Sequence, residues 1–203
     1  MLEGYQLVRL AGENRFGTNL AVLREAGAGE GELLVCTGTG FADSLSASAV
    51  GLPILLVHDS LYEDQEAYLT GLEETAITVI GGEAAVSQEL EETLAAYGTV
   101  ERVFGENRVE TSVAIARRYF DSPKVMVLAG AAGYPDGLCG SVLAYSMEGP
   151  LLLTMSGYGK TVAAYAEENG IRDGIVLGGR NAVTNAAAKA AFGLGASVTI
   201  PMK

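Results

Sequence analysis

Short apolar runs alternate with helical patterns along the first half of the chain. The runs are apolar throughout, which predicts β-strands covered on both faces as in a parallel sheet. They are Leu7–Leu10, Leu33–Thr37, Pro53–Val57 and Ile77–Ile80. The segments with helical patterns are Thr18–Ala26, Asp43–Val50, Tyr62–Leu69 and Gln88–Tyr97. Ser87 precedes the last of these and Thr184 precedes its counterpart in the second half, and both are predicted to cap their helices. Strand–helix alternation with short glycine-rich connections predicts right-handed crossovers and an open three-layer α/β unit.

The same pattern occurs twice, because the chain contains an internal duplication. Gly12-Glu13-Asn14-Arg15 recurs as Gly105-Glu106-Asn107-Arg108, at an offset of 93 residues. Val79-Ile80-Gly81-Gly82 recurs as Val176-Leu177-Gly178-Gly179, at an offset of 97. The change of offset places four additional residues within Cys139–Gly149. Motifs repeated in the same order predict two small α/β lobes, residues 5–98 and 99–200.

Composition and charge exclude several classes of protein. The 203 residues are 49% hydrophobic and 19% charged, which is typical of a globular chain rather than a disordered one. No apolar run reaches the roughly 18 residues that a membrane-spanning helix needs. The net charge of −12 argues against nucleic acid as a partner, since that contact needs a basic surface.

The two cysteines have neither the number nor the spacing of a zinc site or a disulfide framework. Cys36 and Cys139 lie in sequences typical of a buried strand and a buried helix, so we expect two unpaired thiols. The first residues contain no basic segment followed by an apolar stretch, so they do not form a signal peptide.

Arg15 and Arg108 are the main candidates for binding a ligand. Each follows a predicted strand, where ligands collect in open α/β sheets. A guanidinium offers a planar fork of donors that suits phosphate or carboxylate oxygens. Alternatively, each arginine ties down its own loop by pairing with Glu13 or Glu106, and the two roles are compatible.

Asp43 and Asp136 each begin a predicted helix after a glycine-rich stretch. A carboxylate in the first turn interacts with the helix dipole and can cap free amides. The alternative is a ligand for a hydroxyl group or a metal at the sheet edge. No second carboxylate lies at motif distance, so we predict no dedicated metal site.

Two glycine pairs, Gly81-Gly82 and Gly178-Gly179, lie between a strand and a helix, where free amides can hold a phosphate. Their spacing matches neither of the common nucleotide-binding loops. Close packing of strand against helix explains the glycines equally well.

Taken together, these motifs resemble the type 2 cell-wall-binding repeat of surface proteins from clostridia and related Gram-positive bacteria. The resemblance is carried by Gly-Glu-Asn-Arg-x-x-Thr, the Asp-x-Leu helix start, Pro-Ile-Leu-Leu and Val-Ile-Gly-Gly-x-x-Ala-Val-Ser, and it covers nearly the whole chain. Such repeats commonly occur in threes, whereas this sequence contains two.

The resemblance implies an α/β fold of two tandem Toprim-like or flavodoxin-like units with mainly parallel sheets. It implies a secreted protein, its signal peptide removed, that attaches non-covalently to the cell wall through an anionic secondary polymer. It implies no catalysis, cofactor or membrane insertion. The hypothetical polymer-binding residues are Arg15, Arg108, Thr18, Thr111, Asp43, Asp136, Gly81, Gly82, Gly178 and Gly179. Thr18 and Thr111 are interpreted chiefly as helix caps.

The resemblance also marks Pro-Ile-Leu-Leu as an attachment motif. Its residues are Pro53, Ile54, Leu55 and Leu56 in the first copy and Pro150, Leu151, Leu152 and Leu153 in the second. The purely structural alternative is that both segments are central strands of the core. Burial would make them equally necessary, so a mutation there would not separate binding from folding.

Two other functions remain open from the sequence. One is a structural oligomerisation unit, because a two-unit chain leaves lobe faces exposed through which copies could self-associate. The other is an enzyme or nucleotide binder that uses the glycine-rich strand ends. That alternative needs a nucleophile–base pair or paired carboxylates, and the sequence shows neither.

Overall fold

The computed structural model describes residues 6–28, 31–72 and 75–193. Helices and strands alternate along these residues as the sequence predicts. The helices are α1 (Arg15–Glu25), α2 (Ala42–Ser48), α3 (Glu63–Thr70), α4 (Gln88–Leu94), α5 (Arg108–Tyr119), α6 (Pro135–Ser146), α7 (Gly159–Glu168) and α8 (Asn185–Ala191). The strands are β1 (Glu32–Thr37), β2 (Ile54–Val57), β3 (Ala76–Ile80), β4 (Thr99–Val103), β5 (Val125–Gly130), β6 (Leu151–Thr154) and β7 (Asp173–Val176).

The strands form two sheets, and every pairing described is parallel. The first sheet has the order β2-β1-β3-β4, and the second has the order β6-β5-β7. These orders are those of a flavodoxin-like sheet, in which the chain reverses direction of winding between the first and third strands. The predicted α/β class with parallel sheets and internal duplication is confirmed.

Side-chain caps fix where several helices begin. The side chains of Asn14 and Asn107 accept hydrogen bonds from amides in the first turns of α1 and α5. Helix α1 therefore starts three residues before the predicted Thr18. The caps predicted from the sequence ahead of α4 and α8 are confirmed, because the Ser87 and Thr184 hydroxyls accept from Leu90 and Ala187 amides.

The strand predicted at Leu7–Leu10 does not form. Residues 6–10 have no regular secondary structure, and Leu7 and Val8 are exposed. The equivalent segment of the second repeat does form a strand, β4, but it pairs with β3 of the first lobe. The prediction was wrong because a strand needs a free neighbouring edge, and pattern alone does not supply one.

The segment Pro53–Leu56 is an edge of its sheet, not the centre as predicted, and β6 has the same edge position in the second sheet. Side chains cover the open backbone of β2. Asn19 donates to the Ile54 carbonyl and accepts from the Leu56 amide, both at 2.9 Å, and Gln65 donates to the Leu56 carbonyl at 2.8 Å. An edge strand can therefore be apolar and buried at the same time.

Helix α2 joins the two lobes, because it packs against α5 and α6 of the second lobe as well as its own sheet. Its Leu45 and Ala49 belong to the buried core of the second lobe. At the far end of the junction, the Glu32 carboxylate accepts from the Tyr119 hydroxyl at 2.5 Å and from the Thr78 hydroxyl at 2.6 Å. Tyr119 lies on α5, so this cluster ties the second repeat to the first sheet.

The second lobe differs from the first in helix α6. The four additional residues of the second repeat lengthen α6 to 12 residues, whereas α2 has seven. Both cysteines are free, but Cys139 lies on the exposed side of α6, so its predicted burial was wrong. Cys36 is buried in β1, and burial raises the pKa of its thiol.

We predict that Tyr119→Phe lowers the free energy of unfolding by about 1–2 kcal/mol, because it removes a hydrogen bond to a charged group at the junction. Chemical denaturation measures the change. Tyr145→Phe is the control, since Tyr145 is exposed and should change stability by less than about 0.5 kcal/mol. Equal losses in the two variants would contradict a junction role for the Tyr119 hydroxyl.

Candidate functional site

A crevice of about 550 Å³ opens at the junction of the two lobes. It lies at the carboxyl ends of β1 and β3, where the winding of the first sheet reverses and where open α/β sheets bind ligands. The second repeat closes it with the start of α5. Its lining residues are Thr37, Thr39, Gly40, Phe41, Ala42, Asp43, Gly82, Ala84, Ala85, Gly105, Glu106, Asn107, Arg108 and Thr111.

Arg108 bridges the two lobes at this crevice. Its guanidinium donates to the Ala131 carbonyl of the second lobe at 2.7 Å. The same group lies 5.5 Å from the centre of the Phe41 ring in the first lobe, a cation–π distance. Arg108 as a whole nevertheless remains exposed to solvent. Arg108 therefore holds its loop while remaining exposed, although its partner is a carbonyl and not the expected Glu106.

Asp43 lies across the crevice in the first turn of α2. Burial raises the pKa of its carboxyl above the usual value, and the charge of Arg108 lowers it in part. Burial destabilises the ionised carboxylate more than the charge of Arg108 stabilises it. The ionised Asp43 therefore lowers the stability of the folded protein. A half-buried acceptor facing an exposed guanidinium is an arrangement suited to hydroxyl and anionic groups on one ligand.

Gly81 leaves the space that the Asp43 carboxylate occupies. Its φ is +108°, and a Cβ atom would lie 2.6 Å from Asp43 Oδ2. Gly178 has the same relation to Asp136 at 2.4 Å. The second glycines of each pair, Gly82 and Gly179, meet no such restriction. Close packing thus accounts for the first glycine of each pair, and Gly82 is the member that lines the crevice.

The threonines hold the Gly-Glu-Asn-Arg loops and are not the helix caps. Thr111 is buried inside α5, where its hydroxyl accepts from the Gly105 amide at 3.1 Å. Thr18 accepts from Gly12 in the same way at 3.0 Å. Asn14 and Asn107 are the caps, because they stand immediately before the first helical residue.

The equivalent residues of the other copy are not brought together in the same way. Arg15 makes the same loop contact, donating to the Gly38 carbonyl at 2.8 Å. It begins α1, which packs against β2, the strand at the opposite edge of the sheet from β4. Asp136, Gly178 and Tyr134 form the second-lobe counterpart of the crevice wall. The crevice thus combines Asp43 of one copy with Arg108 of the other.

Sequence reasoning missed the aromatic side of the site. Phe41 lies beneath the guanidinium of Arg108, and its ring centre is 5.8 Å from that of Tyr134, its repeat equivalent. An aromatic residue two positions before the aspartate in both copies was the available signal. Thr37 and Thr39 were also missed. Their hydroxyls are linked at 2.9 Å and add polar groups to the same wall.

Elsewhere in the described residues, the chemistry is sparse. A second cavity, about 640 Å³, lies beside β4 and contains the Arg102–Glu91 ion pair at 2.6 Å. Within the described ranges, no three His, Cys, Asp or Glu side chains lie near enough together to hold a metal ion. None of the helices described has the length and apolar character needed to cross a membrane.

Comparison with known families identifies the class of protein. The model of the cell wall binding domain 2 family matches residues 9–91 and 102–188, one match for each repeat. The chain belongs to this family. Membership places the protein at the cell wall or cell surface.

Two curated proteins of Bacillus subtilis (strain 168) are similar to the chain. N-acetylmuramoyl-L-alanine amidase LytC is 24% identical over 186 residues, which is 87% of this chain and 37% of the relative. Amidase enhancer is 27% identical over 151 residues, or 72% of this chain and 21% of the relative. The chain therefore spans well under half of the length of either protein.

Two solved structures of Clostridium difficile proteins have the same fold. Cwp8 superposes with a TM-score of 0.76 at 28% identity, covering 90% of this chain and 32% of that protein. Cwp6 gives a TM-score of 0.74 at 25% identity, covering 86% and 29%. The predicted resemblance to the cell-wall-binding repeat is confirmed.

We predict that Asp43→Asn changes how stability depends on pH. A folded-state pKa above the unfolded value means that the wild type loses stability as pH rises through the two values, and asparagine removes that loss. The melting temperature of the wild type should therefore fall relative to that of the variant between about pH 3 and pH 7. Thermal denaturation at each pH measures this.

Asp173→Asn is the matched control, because Asp173 is exposed at the start of β7. Its melting temperature should track the wild type across the same range. A difference between wild type and Asp43→Asn that is the same at both pH values would contradict the buried, ionised carboxylate.

Proposed function

We propose that this chain is a non-catalytic module that anchors a surface protein to an anionic polymer of the cell wall. The binding site is the junction crevice, with Arg108 as the main anion contact and Asp43 as an acceptor for hydroxyl groups. The observation that carries the proposal is the placement of an exposed guanidinium, an aromatic face and a half-buried carboxylate around one opening.

The acidic surface does not prevent such binding. The net charge of −12 repels an anionic polymer at long range, but salt screens exposed charges beyond roughly 8–10 Å. A guanidinium that contacts phosphate or carboxylate oxygens directly acts within that distance. The acidic remainder of the surface then favours selective attachment at the crevice over non-specific adhesion.

The lack of catalysis is proposed from the make-up of the crevice. Its ionisable lining groups are Asp43, Glu106 and Arg108, which supply no nucleophile paired with a base. We propose that the amidase activity named for the longer relative belongs to parts of that protein outside the matched region. The two repeats, residues 5–98 and 99–200, would then act together as the attachment part.

The attachment motif contributes through the fold. Leu55 and Leu151–Leu153 are buried, so they have no surface with which to contact a polymer. We propose that Pro53–Leu56 and Pro150–Leu153 are needed because they complete the sheets that position the crevice.

We predict that Arg108→Glu weakens binding to purified walls by roughly 10- to 100-fold, because the variant loses a charge-assisted hydrogen bond to the polymer. Co-sedimentation with walls at several salt concentrations measures it. Walls from which the anionic polymer has been extracted should retain little wild-type protein. Raised salt should weaken the wild-type interaction and affect the variant less.

Arg172→Glu is the control, because it changes the net charge by the same amount. Arg172 precedes β7, so it lies at the amino end of the strands, whereas the crevice lies at the carboxyl ends. It should bind as the wild type does. Circular dichroism must show that both variants fold, since Arg108 also holds the loop at Ala131. Equal retention on extracted and untreated walls would overturn the anionic polymer as the ligand.

A further inference from the structure

A third cavity, of about 410 Å³, lies in the second lobe where β6 ends and α7 begins. The described residues that line it include one cation, Lys160, and no carboxylate, although the chain has 25 acidic and 13 basic residues. A cavity without acidic groups in an acidic protein is suited to an anion. The lining residues are Thr154, Met155, Ser156, Gly157, Gly159, Lys160, Ala182, Val183, Thr184, Ala186, Ala187 and Ala190.

The first turn of α7 has backbone donors without partners. Its N-cap residue, Tyr158, makes no side-chain cap, and within the described ranges the Gly159 and Lys160 amides donate to no carbonyl. Free amides at a helix N-terminus donate hydrogen bonds to anions, and the helix dipole favours negative charge there. Lys160 places a positive charge in this same turn, where a cation opposes the dipole unless an anion lies beside it.

A buried hydroxyl without a partner lines the same cavity. Thr154 ends β6 and is 2% exposed, and its hydroxyl forms no hydrogen bond with any residue that the structure describes. A buried hydroxyl left unpaired costs about 1–3 kcal/mol. The first repeat has Val57 at this position, 97 residues earlier and in the same strand register. The fold therefore accepts an apolar side chain here, so packing does not explain the hydroxyl.

The equivalent helix of the first repeat has the opposite chemistry. Helix α3 carries Glu63 in its first turn, at the position that Lys160 occupies in α7. The Gln65 side chain also accepts from the Tyr62 amide at 3.2 Å, so the start of α3 is capped. An acidic, capped start is the usual way to stabilise a helix N-terminus. The second repeat has replaced both features with groups that attract an anion.

Two glycines shape the start of α7. Gly157 has a φ of +90°, which favours glycine, and it stands where the first repeat has Ser60. Gly159 stands where the first repeat has Tyr62, and a Cβ atom on it would lie 2.5 Å from the Cβ of Ala190. Helix α8 therefore approaches the start of α7 closely and forms the other wall of the cavity with its small side chains.

The sequence at this turn matches part of a phosphate-binding pattern. Gly159-Lys160-Thr161 follows a strand and begins a helix, as Gly-Lys-Thr does in the phosphate-binding loop of many nucleotide-binding proteins. Thr154 stands where that pattern has its first glycine, so the match is incomplete. The shared part is the part whose amides and lysine contact phosphate oxygens.

We propose that this cavity, here called the α7 site, binds a phosphoryl group. The Gly159 and Lys160 amides and the Lys160 ammonium group donate to its oxygens, and the Thr154 hydroxyl acquires its missing partner. All of these groups can donate hydrogen bonds, and ionised phosphoryl oxygens accept them. The proposal does not rest on the junction crevice, because the α7 site uses other residues. Two sources carry such a group, a soluble phosphate ester and a phosphate-containing polymer, and the test separates them.

The test titrates the folded chain with inorganic phosphate at constant ionic strength and follows the backbone amides by NMR spectroscopy. The amide resonances of Gly157, Gly159 and Lys160 should shift and saturate at millimolar phosphate. Sodium chloride at the same ionic strength should not move them. Arg108→Glu should give the same shifts as the wild type, which separates this site from the crevice.

Lys160→Glu gives the second repeat the charge of the first and should weaken phosphate binding by roughly 10- to 100-fold. Lys124→Glu is the matched control. It changes the net charge by the same amount, and Lys124 is exposed before β5, at the amino end of the strands. This control should bind phosphate as the wild type does. Circular dichroism establishes that both variants fold.

Thr154→Val gives a readout that a merely structural role would not produce. It should weaken phosphate binding by roughly 3- to 10-fold, because one hydrogen bond to the ligand is lost. It should also raise the melting temperature of the phosphate-free protein, because it removes an unpaired buried hydroxyl. A structural threonine would instead lose stability on this substitution.

Two further titrations identify the source of the phosphoryl group. One uses glycerol phosphate, a soluble monoester, and the other uses purified wall polymer before and after its phosphate has been removed. Shifts of the same three amides with the monoester alone would support the site and assign it to soluble esters. Shifts with the polymer that disappear when its phosphate is removed would support the site and assign it to the wall.

Three results would overturn the proposal. The first is the lack of a saturable shift at the three amides up to tens of millimolar phosphate. The second is a Lys160→Glu variant that binds phosphate with wild-type affinity. The third is a Thr154→Val variant with unchanged affinity, which would contradict the role given to the hydroxyl.

Discussion

The parallel pairing of β4 with β3 is the contact on which the rest of the structure depends. It places a strand of the second sequence repeat in the first sheet, so the two repeats cannot separate without opening that sheet. Because α5 follows β4 directly, the pairing also brings Arg108 to the end of β1 and β3. Helix α2 then fills the angle between the lobes, and its Leu45 and Ala49 become part of the second lobe's core. One strand pairing thus determines both the lobe arrangement and the crevice.

The crevice is a product of duplication. Each repeat carries an aspartate at the strand end and an arginine at the start of its first helix, but within one repeat these do not meet. Arg15 and Arg108 each donate to a carbonyl of their own repeat, which keeps the guanidinium in position. Only the arginine of the following repeat reaches the aspartate. The crevice therefore forms between the two repeats and not within either one.

The residues at the crevice divide into those that shape it and those that face its opening. Thr111 and Gly81 are buried and occupied with backbone contacts or close packing. Arg108, Phe41 and Asp43 present a charge, a ring face and an acceptor to the opening. Asp43 does so although burial raises the pKa of its carboxyl, so the fold retains a group that lowers its stability at neutral pH. Groups of this kind are concentrated at functional sites.

The sequence by itself determined the α/β class, the duplication, the Ser87 and Thr184 caps and the family, because these depend on local pattern and on repeated motifs. It also singled out Arg108 and Asp43, since both follow strands. Only the tertiary structure decided which strands pair. It showed that Leu7–Leu10 lacks a neighbour, that Pro53–Leu56 is an edge strand, and that Cys139 is exposed. The physical reason is that a strand forms only when it pairs with the edge of a sheet, and that edge comes from residues distant in the chain. The apolar pattern of a segment shows that it can be a buried strand, but it does not show which strand it pairs with.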